Sequence, residues 1–229
     1  MKSIKLWLIV IVLIVTVGLQ LVLPNLFAER IATSLKQELN SWQQLEVEID
    51  AVPALKLLLG QADELELEGK ELVLNRIKIS SIEAKYKDLK VKETNQGWQM
   101  VKGKNTYLDL ELTEQNLNDY LLTRSELRVF EDFKVDITSN QVLITGVIVF
   151  FDAQVNLQLA GNFKVINSQQ IVFRSDKLAV ENIVIPSGVI KELKNQLQFK
   201  IDLTKLPIPV IVKQVKLKQD GLEILGINN

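Results

Sequence analysis

Near the N-terminus, the run from Leu6 to Leu23 is apolar apart from Thr16, Gly18 and Gln20. Crossing a bilayer takes roughly 18 to 20 such residues. In hydrocarbon every backbone polar group must find its partner within the segment, so the run can only be a helix. Lys2 and Lys5 precede it and Pro24 closes it, a charge order that keeps the N-terminus in the cytoplasm. The nearest small-residue exit, Leu26-Phe27-Ala28, puts leucine where a cleavage site wants a small side chain. This favours an uncleaved signal-anchor over a cleaved signal peptide. The expected organisation is an anchor over residues 1–25 and a single extracytoplasmic domain over 26–229, in a cell-membrane, single-pass protein.

Composition narrows what that domain does. Hydrophobic residues make up 47 % of the chain and aromatic residues only 6 %, so the apolar content is mainly Leu, Ile and Val. Without Lys2 and Lys5 the remainder has 25 basic against 28 acidic residues, net -3, and no electrostatic footprint for nucleic acid. There is no cysteine, hence no disulfide, lipoprotein anchor or thiol chemistry. There is no histidine, hence no Ser-His-Asp or Cys-His constellation and no usual zinc set. Neither a Gly-rich phosphate loop nor a metal or cofactor motif is present. Glu64, Glu66 and Glu68 share one strand face. Glycosidases place two carboxyl groups across a cleft from different elements, so three in a row read as solvated surface. The expectation is a protein that is not an enzyme and uses no cofactor.

Along the chain, Phe27, Ile31, Leu35 and Leu39 recur every four residues and predict an amphipathic helix. Residues 45–50 alternate as a strand, and 53-PALKLLLG-60 carries a proline start and glycine stop for two short turns. Strand-like segments span 64–79 and 82–92, with an apolar parity shift between Tyr86 and Leu89 that predicts a β-bulge. A polar loop is expected over 93–105, then a strand over 106–112. Thr113 is a good N-cap for a second helix over 113–124, Glu114 suits its first turn, and Leu112 can staple to Leu117. Strands are expected around Phe133 to Ile137, over 142–165 in two parts, and over 169–185. A third helix is expected over 187–198 with a stripe of Val189, Leu193 and Leu197. Two β segments, 208–219 and 222–227, meet at Asp220-Gly221. An antiparallel sheet with helices on one face, an α+β fold, accommodates this order.

The two strands of 142–165 differ in kind. The second alternates cleanly, with Val155, Leu157 and Leu159 on one side. The first is apolar on both, with Val142, Ile144, Ile148 and Phe150 on one face and Leu143, Val147, Val149 and Phe151 on the other. One reading puts one face on the core and the other on an apolar ligand. The other is a central strand covered by protein on both sides.

Four stretches, 53-PALKLLLGQADELELEG-69, 112-LTEQNLNDYL-121, 185-IPSGVIKELKNQL-197 and 202-DLTKLPIPVIVKQVKLKQDGLEILG-226, in that order and spacing, resemble the LmeA-like phospholipid-binding family. The resemblance covers most of residues 26 to 229. It implies a tubular lipid-binding type of fold, with a strongly curved antiparallel β-sheet wrapped around amphipathic helices. It also implies an apolar groove and a place in the bacterial envelope, with phospholipid or another membrane lipid as partner. Physical reasoning agrees: each CH₂ moved into water costs about 0.8 kcal/mol, so a carrier needs a continuous hydrocarbon lining. Candidate lining residues are Leu55, Leu58, Leu59, Val142, Ile144, Ile148, Phe150, Val155, Leu157, Leu159, Val189 and Leu193. The four leucines of 53–60 either gate a groove or dip into a membrane surface, or they plug the end of the sheet. Lys85 and Lys87 are headgroup candidates, the alternative being a solvated face that blocks edge pairing. The expected function is an anchored lipid carrier; the alternative is a non-catalytic scaffold that binds an envelope partner and carries no lipid.

Overall fold

The computed structural model describes residues 2–74, 76–94, 97–124, 127–128, 130–150, 153–180, 200–204 and 210–226. The predicted third helix over 187–198 lies outside them.

One helix, α1, runs without a break from Lys2 to Glu38. Pro24 ends the apolar run but not the helix. The bond it removes is the one to the Gln20 carbonyl, and Leu23 and Phe27, buried on either side of it, hold the helix in place. The buried stripe also begins earlier than Phe27. Leu19, Leu23, Phe27, Ile31, Leu35 and Leu39 form one i, i+4 row, all packed in or against the core. Such a row is inclined about 26° to the helix axis, so the groove that receives it crosses α1 obliquely.

That groove is the inside of a curled sheet. Strands β1 (Gln44–Asp50), β2 (Gln61–Leu74), β3 (Ile77–Thr94) and β4 (Gly97–Thr113) pair in order, and the ladder continues through β11 (Gly221–Gly226) to β10 (Gln214–Lys218). Helix α1 packs on both β1 and β4. In a flat sheet those strands stand about 14 Å apart, more than a helix is wide, so the sheet must close around α1. The helix also spans the sheet lengthwise. After α1, Asn40 and Ser41 bond the main chain of Val73, while residue 20 bonds Ala51 and Ala54. Ten strand residues back cover what twenty helical residues cover forward, roughly 30 Å each way. Between β1 and β2 lies a single 3-10 turn, Ala54–Leu59, closed by Gly60 in the left-handed region (φ 69°). A Cβ there would collide with the Val91 carbonyl, so the predicted glycine stop is also a close approach.

A second antiparallel ladder holds β5 (Phe130–Ile137), β6 (Val142–Phe150), β7 (Ala153–Asn167), β8 (Gln170–Val180) and β9 (Lys200–Asp202) in that order. Helix α2 (Glu114–Leu122) joins the two ladders. Thr113 Oγ1 caps it by accepting from the Asn116 amide at 3.2 Å. Leu112 and Leu117 are both buried, as the staple requires. The β10–β11 turn adds a direct link, its Asp220 amide donating to the Ile137 carbonyl at 3.0 Å. The predicted curved antiparallel sheet around a helix is thus present, as two ladders sharing one apolar interior.

Three boundaries differ from expectation. Strand β2 ends at Leu74 and β3 begins at Ile77, with Arg76 at φ 73°, and no break occurs at Ser80-Ser81. The expected polar loop over 93–105 is a hairpin instead, with Glu93 opposite Trp98 and Thr94 opposite Gly97. A strand needs no apolar alternation where its ladder hydrogen bonds alone hold it. Near the C-terminus, the strand begins only at Gln214. The bulge in β3 is where the parity shift put it. Asp88 takes φ 52°, the register against β4 slips around it, and Leu89 and Val91 return to the buried side.

The outer face of the first ladder is charged. Glu46, Glu48 and Asp50 stand directly opposite Glu68, Glu66 and Glu64, an unfavourable like-charge ladder. Lys85 relieves it by pairing Glu66 at 3.0 Å, and Lys87 sits opposite Glu64. Further along, Lys218 bridges Glu111 and Glu223 at 2.8 and 2.7 Å. Asp109 has its carboxyl pushed up, first by burial and then by the Glu223 and Glu111 charges. A raised carboxyl pKa means that ionisation costs the folded state more than the unfolded one. Asp109→Asn is therefore expected to raise the thermal midpoint by ~1–2 °C at neutral pH. The gain should vanish below about pH 4, where the aspartate is protonated in both states. Melting curves at the two pH values check this.

Candidate functional site

The interior is built from three surfaces. Helix α1 contributes its i, i+4 row. The first ladder contributes inward residues such as Leu65, Leu67, Ile82, Ala84, Leu108 and Leu110, and the second Val135, Ile137, Val142, Ile144, Leu159 and Phe173. All belong to one continuous apolar cluster. Period-2 strands and a period-3.6 helix put these aliphatic side chains on facing surfaces with almost no polar atom between them.

The lining candidates divide into groups. Val142, Ile144 and Leu159 lie in the main cluster. Ile148, Val155 and Leu157 form a second cluster among the described residues, with Phe130 packed against it. These pair across β5, β6 and β7, Ile148 facing both Phe130 and Val155. All six lie on the inward face, whereas the other face of β6 is open: Leu143 and Val147 are half-buried and Val149 is 53 % exposed. The strand is therefore not covered on both sides. Its second face borders an open depression of about 330 Å³ whose walls mix Asp132, Thr145, Asn156 and Gln158 with Val147 and Ala179. Phe150 lies in β6, but its side chain is outside the described residues, as are Val189 and Leu193.

Leu55, Leu58 and Leu59 do not line the interior; they point outward from the 3-10 turn, while Ala54 and Leu57 of the same turn are buried. Lys85 and Lys87 lie on the outer face, across the sheet from the apolar interior.

Sequence reading passed over one interior residue. Tyr86 is fully buried on β3, and its hydroxyl has no hydrogen-bond partner among the described residues. Burial alone drives its ionisation far above the ordinary phenol range, so it is a neutral donor in a hydrocarbon setting. The available signal was a tyrosine at an inward position between Ala84 and Leu89. A buried hydroxyl without a partner costs about 1–3 kcal/mol. Tyr86→Phe is accordingly expected to leave the thermal midpoint unchanged or to raise it by a few degrees. A drop of that size would mean that the hydroxyl is bonded within the protein.

Chemically the interior is hydrocarbon, with the Tyr86 hydroxyl as its unpartnered polar group among the described residues. Among the described residues no group of three or more acidic side chains is placed to hold a metal ion. The sequence model described as LmeA-like phospholipid-binding matches residues 19–227. No curated protein and no solved structure matches the chain.

Proposed function

Because the chain belongs to the LmeA-like phospholipid-binding family, we propose that it holds or passes a phospholipid between sites of the bacterial envelope, anchored by α1 and without covalent chemistry. In this reading the N-terminus is cytoplasmic and everything beyond the membrane-crossing part of α1 is extracytoplasmic. The observation that carries it is the single continuous aliphatic cluster to which α1 and both ladders contribute. A lipid with about thirty methylenes forfeits roughly 24 kcal/mol if left in water, and only an unbroken apolar surface offsets that. The length and apolarity of α1, sufficient to cross a membrane, support the anchoring.

The test is lipid extraction and native mass spectrometry of the full chain released from membranes in mild detergent. Phospholipid at near stoichiometry is expected. Residues 1–25 should not be removed for it, because Leu19 and Leu23 belong to the packed interior. Tyr86→Phe should retain less lipid than the native chain, its hydroxyl being the donor available to an ester carbonyl.

The scaffold reading has one observation in its favour. Val142, Ile144 and Leu159 are already 0 to 2 % exposed, buried by the chain's own side chains. Repeated preparations without bound lipid would establish that reading in place of the carrier.

A further inference from the structure

Gln20 is a polar residue in the apolar half of α1, and its side-chain amide is used on both atoms. Nε2 donates to the Ala51 carbonyl and Oε1 accepts from the Ala54 amide, each at 2.8 Å. Gln20 lies fourteen residues beyond Leu6, about 21 Å along the helix, against an apolar slab about 30 Å thick. An amide at that depth needs a partner other than water. The main chain leading into the 3-10 turn supplies it, so the turn is pinned to α1 at the level of the outer leaflet.

The turn has the surface for that position. In a 3-10 helix residues i and i+3 eclipse, so Ala54 and Leu57 share the buried side while Leu55 and Leu58 share the outer one. Val52 and Leu59 join the outer side, 71 % and 77 % exposed. Lys56, the charge within the turn, is bent back onto Asp63 at 2.8 Å. Asp63 also accepts from the Val52 amide at 2.7 Å, which shapes the approach to the turn. That ion pair stays 35 % and 48 % exposed beside the turn, while the exposed side chains of Val52, Leu55, Leu58 and Leu59 are all apolar. On α1, Leu21, Val22 and Leu26 are exposed within two turns of Gln20.

We propose that the 52–59 turn is a second membrane contact, inserting Val52, Leu55, Leu58 and Leu59 into the outer leaflet beside α1. The inference rests on the reading that α1 spans the membrane. It turns the end of the apolar interior behind Leu57 toward lipid instead of water, and it fixes the orientation of the first ladder on the bilayer.

The chain has no cysteine, so single-cysteine variants of the full-length protein can carry one nitroxide each. Leu55→Cys, Leu59→Cys, Val12→Cys and Gln37→Cys are reconstituted in vesicles of phosphatidylcholine and phosphatidylglycerol. Collisions with oxygen and with an aqueous nickel chelate are then measured. Labels at 55 and 59 are expected to be rich in oxygen and shielded from nickel, as at 12, while the label at 37, near the far end of α1, meets nickel freely. Adding Gln20→Ala should raise nickel access at 59 several-fold with unchanged circular dichroism. Nickel access at 55 and 59 equal to that at 37, with 12 still shielded, overturns the proposal and leaves the anchor intact. Free access at 12 overturns the anchor and the proposal together.

Discussion

Asn118→Ala is expected to destabilise the protein by about 2–4 kcal/mol, a large effect for a half-buried polar residue. Asn118 acts as a strand partner for the edge of the second ladder. Its Nδ2 donates to the Val135 carbonyl and its Oδ1 accepts from the Val135 amide, both at 2.7 Å. One helical turn earlier, Glu114 Oε2 accepts from the Ile137 amide at 2.7 Å. Val135 and Ile137 are both 0 % exposed, so truncation of Asn118 leaves the Val135 amide and carbonyl without water to replace the side chain, each costing about 1–3 kcal/mol. On its other side α2 reaches the first ladder through Asn116, whose Nδ2 donates to Ser80 Oγ at 3.0 Å. The polar residues of 114-EQNLN-118 thus stitch the two ladders together, and loss of one stitch should loosen the interior between them. Asn118→Asp keeps the acceptor for the Val135 amide but sets a carboxylate against the Val135 carbonyl, so it should recover little of the loss. Denaturant unfolding in micelles measures both variants. A change under about 1 kcal/mol for Asn118→Ala would mean that water reaches the β5 edge.

The parts of this architecture that were legible are those where side chains contrast. The period-4 recurrence of Phe27, Ile31, Leu35 and Leu39 marks the buried face of α1 because Glu29, Arg30 and Lys36 lie opposite. The continuation of that row to Leu23 and Leu19 is invisible because every neighbour there is apolar too, and a stripe without contrast has no period. The bulge at Asp88 shows as a parity slip between two buried residues. The pairing of Glu93 and Thr94 with Trp98 and Gly97 does not show, since a ladder of main-chain hydrogen bonds leaves no mark in side-chain polarity, nor does the end of β2 at Leu74, where no glycine or proline follows before Ile77. In β6 the apolar residues of the outward face read as if buried, but polar neighbours such as Gln154, Asn156 and Gln158 flank them on β7. In α2, Thr113 and Glu114 announce a helix start locally. The tertiary work of Glu114 and Asn118 depends on a strand main chain about twenty residues away, and main chain has no sequence signature.

Truncating Leu57 to Ala is expected to cost about 3 kcal/mol, whereas truncating Leu58 and Leu59 together should cost about 0.5 kcal/mol or less. The three adjacent leucines are chemically identical and differ only in which way a 3-10 turn aims them. Leu57 is 0 % exposed and belongs to the main cluster, so its removal opens a cavity at the end of the interior that Gly60, held against β3, prevents from collapsing. Leu58 and Leu59, at 61 % and 77 % exposed, have little packing to lose. The sequence posed a groove gate or membrane contact against a plug for this segment, and the geometry buries Leu57 in the core while leaving Leu55, Leu58 and Leu59 exposed for the proposed membrane contact. Stability and membrane binding should therefore separate by residue. Leu57→Ala should lower the thermal midpoint by roughly 6–12 °C in micelles. The Leu58→Ala, Leu59→Ala pair should leave it nearly unchanged and yet slow phospholipid transfer from vesicles. Equal melting losses from both variants would make the turn a plug alone, because outer leucines can share the cost only if they share the core.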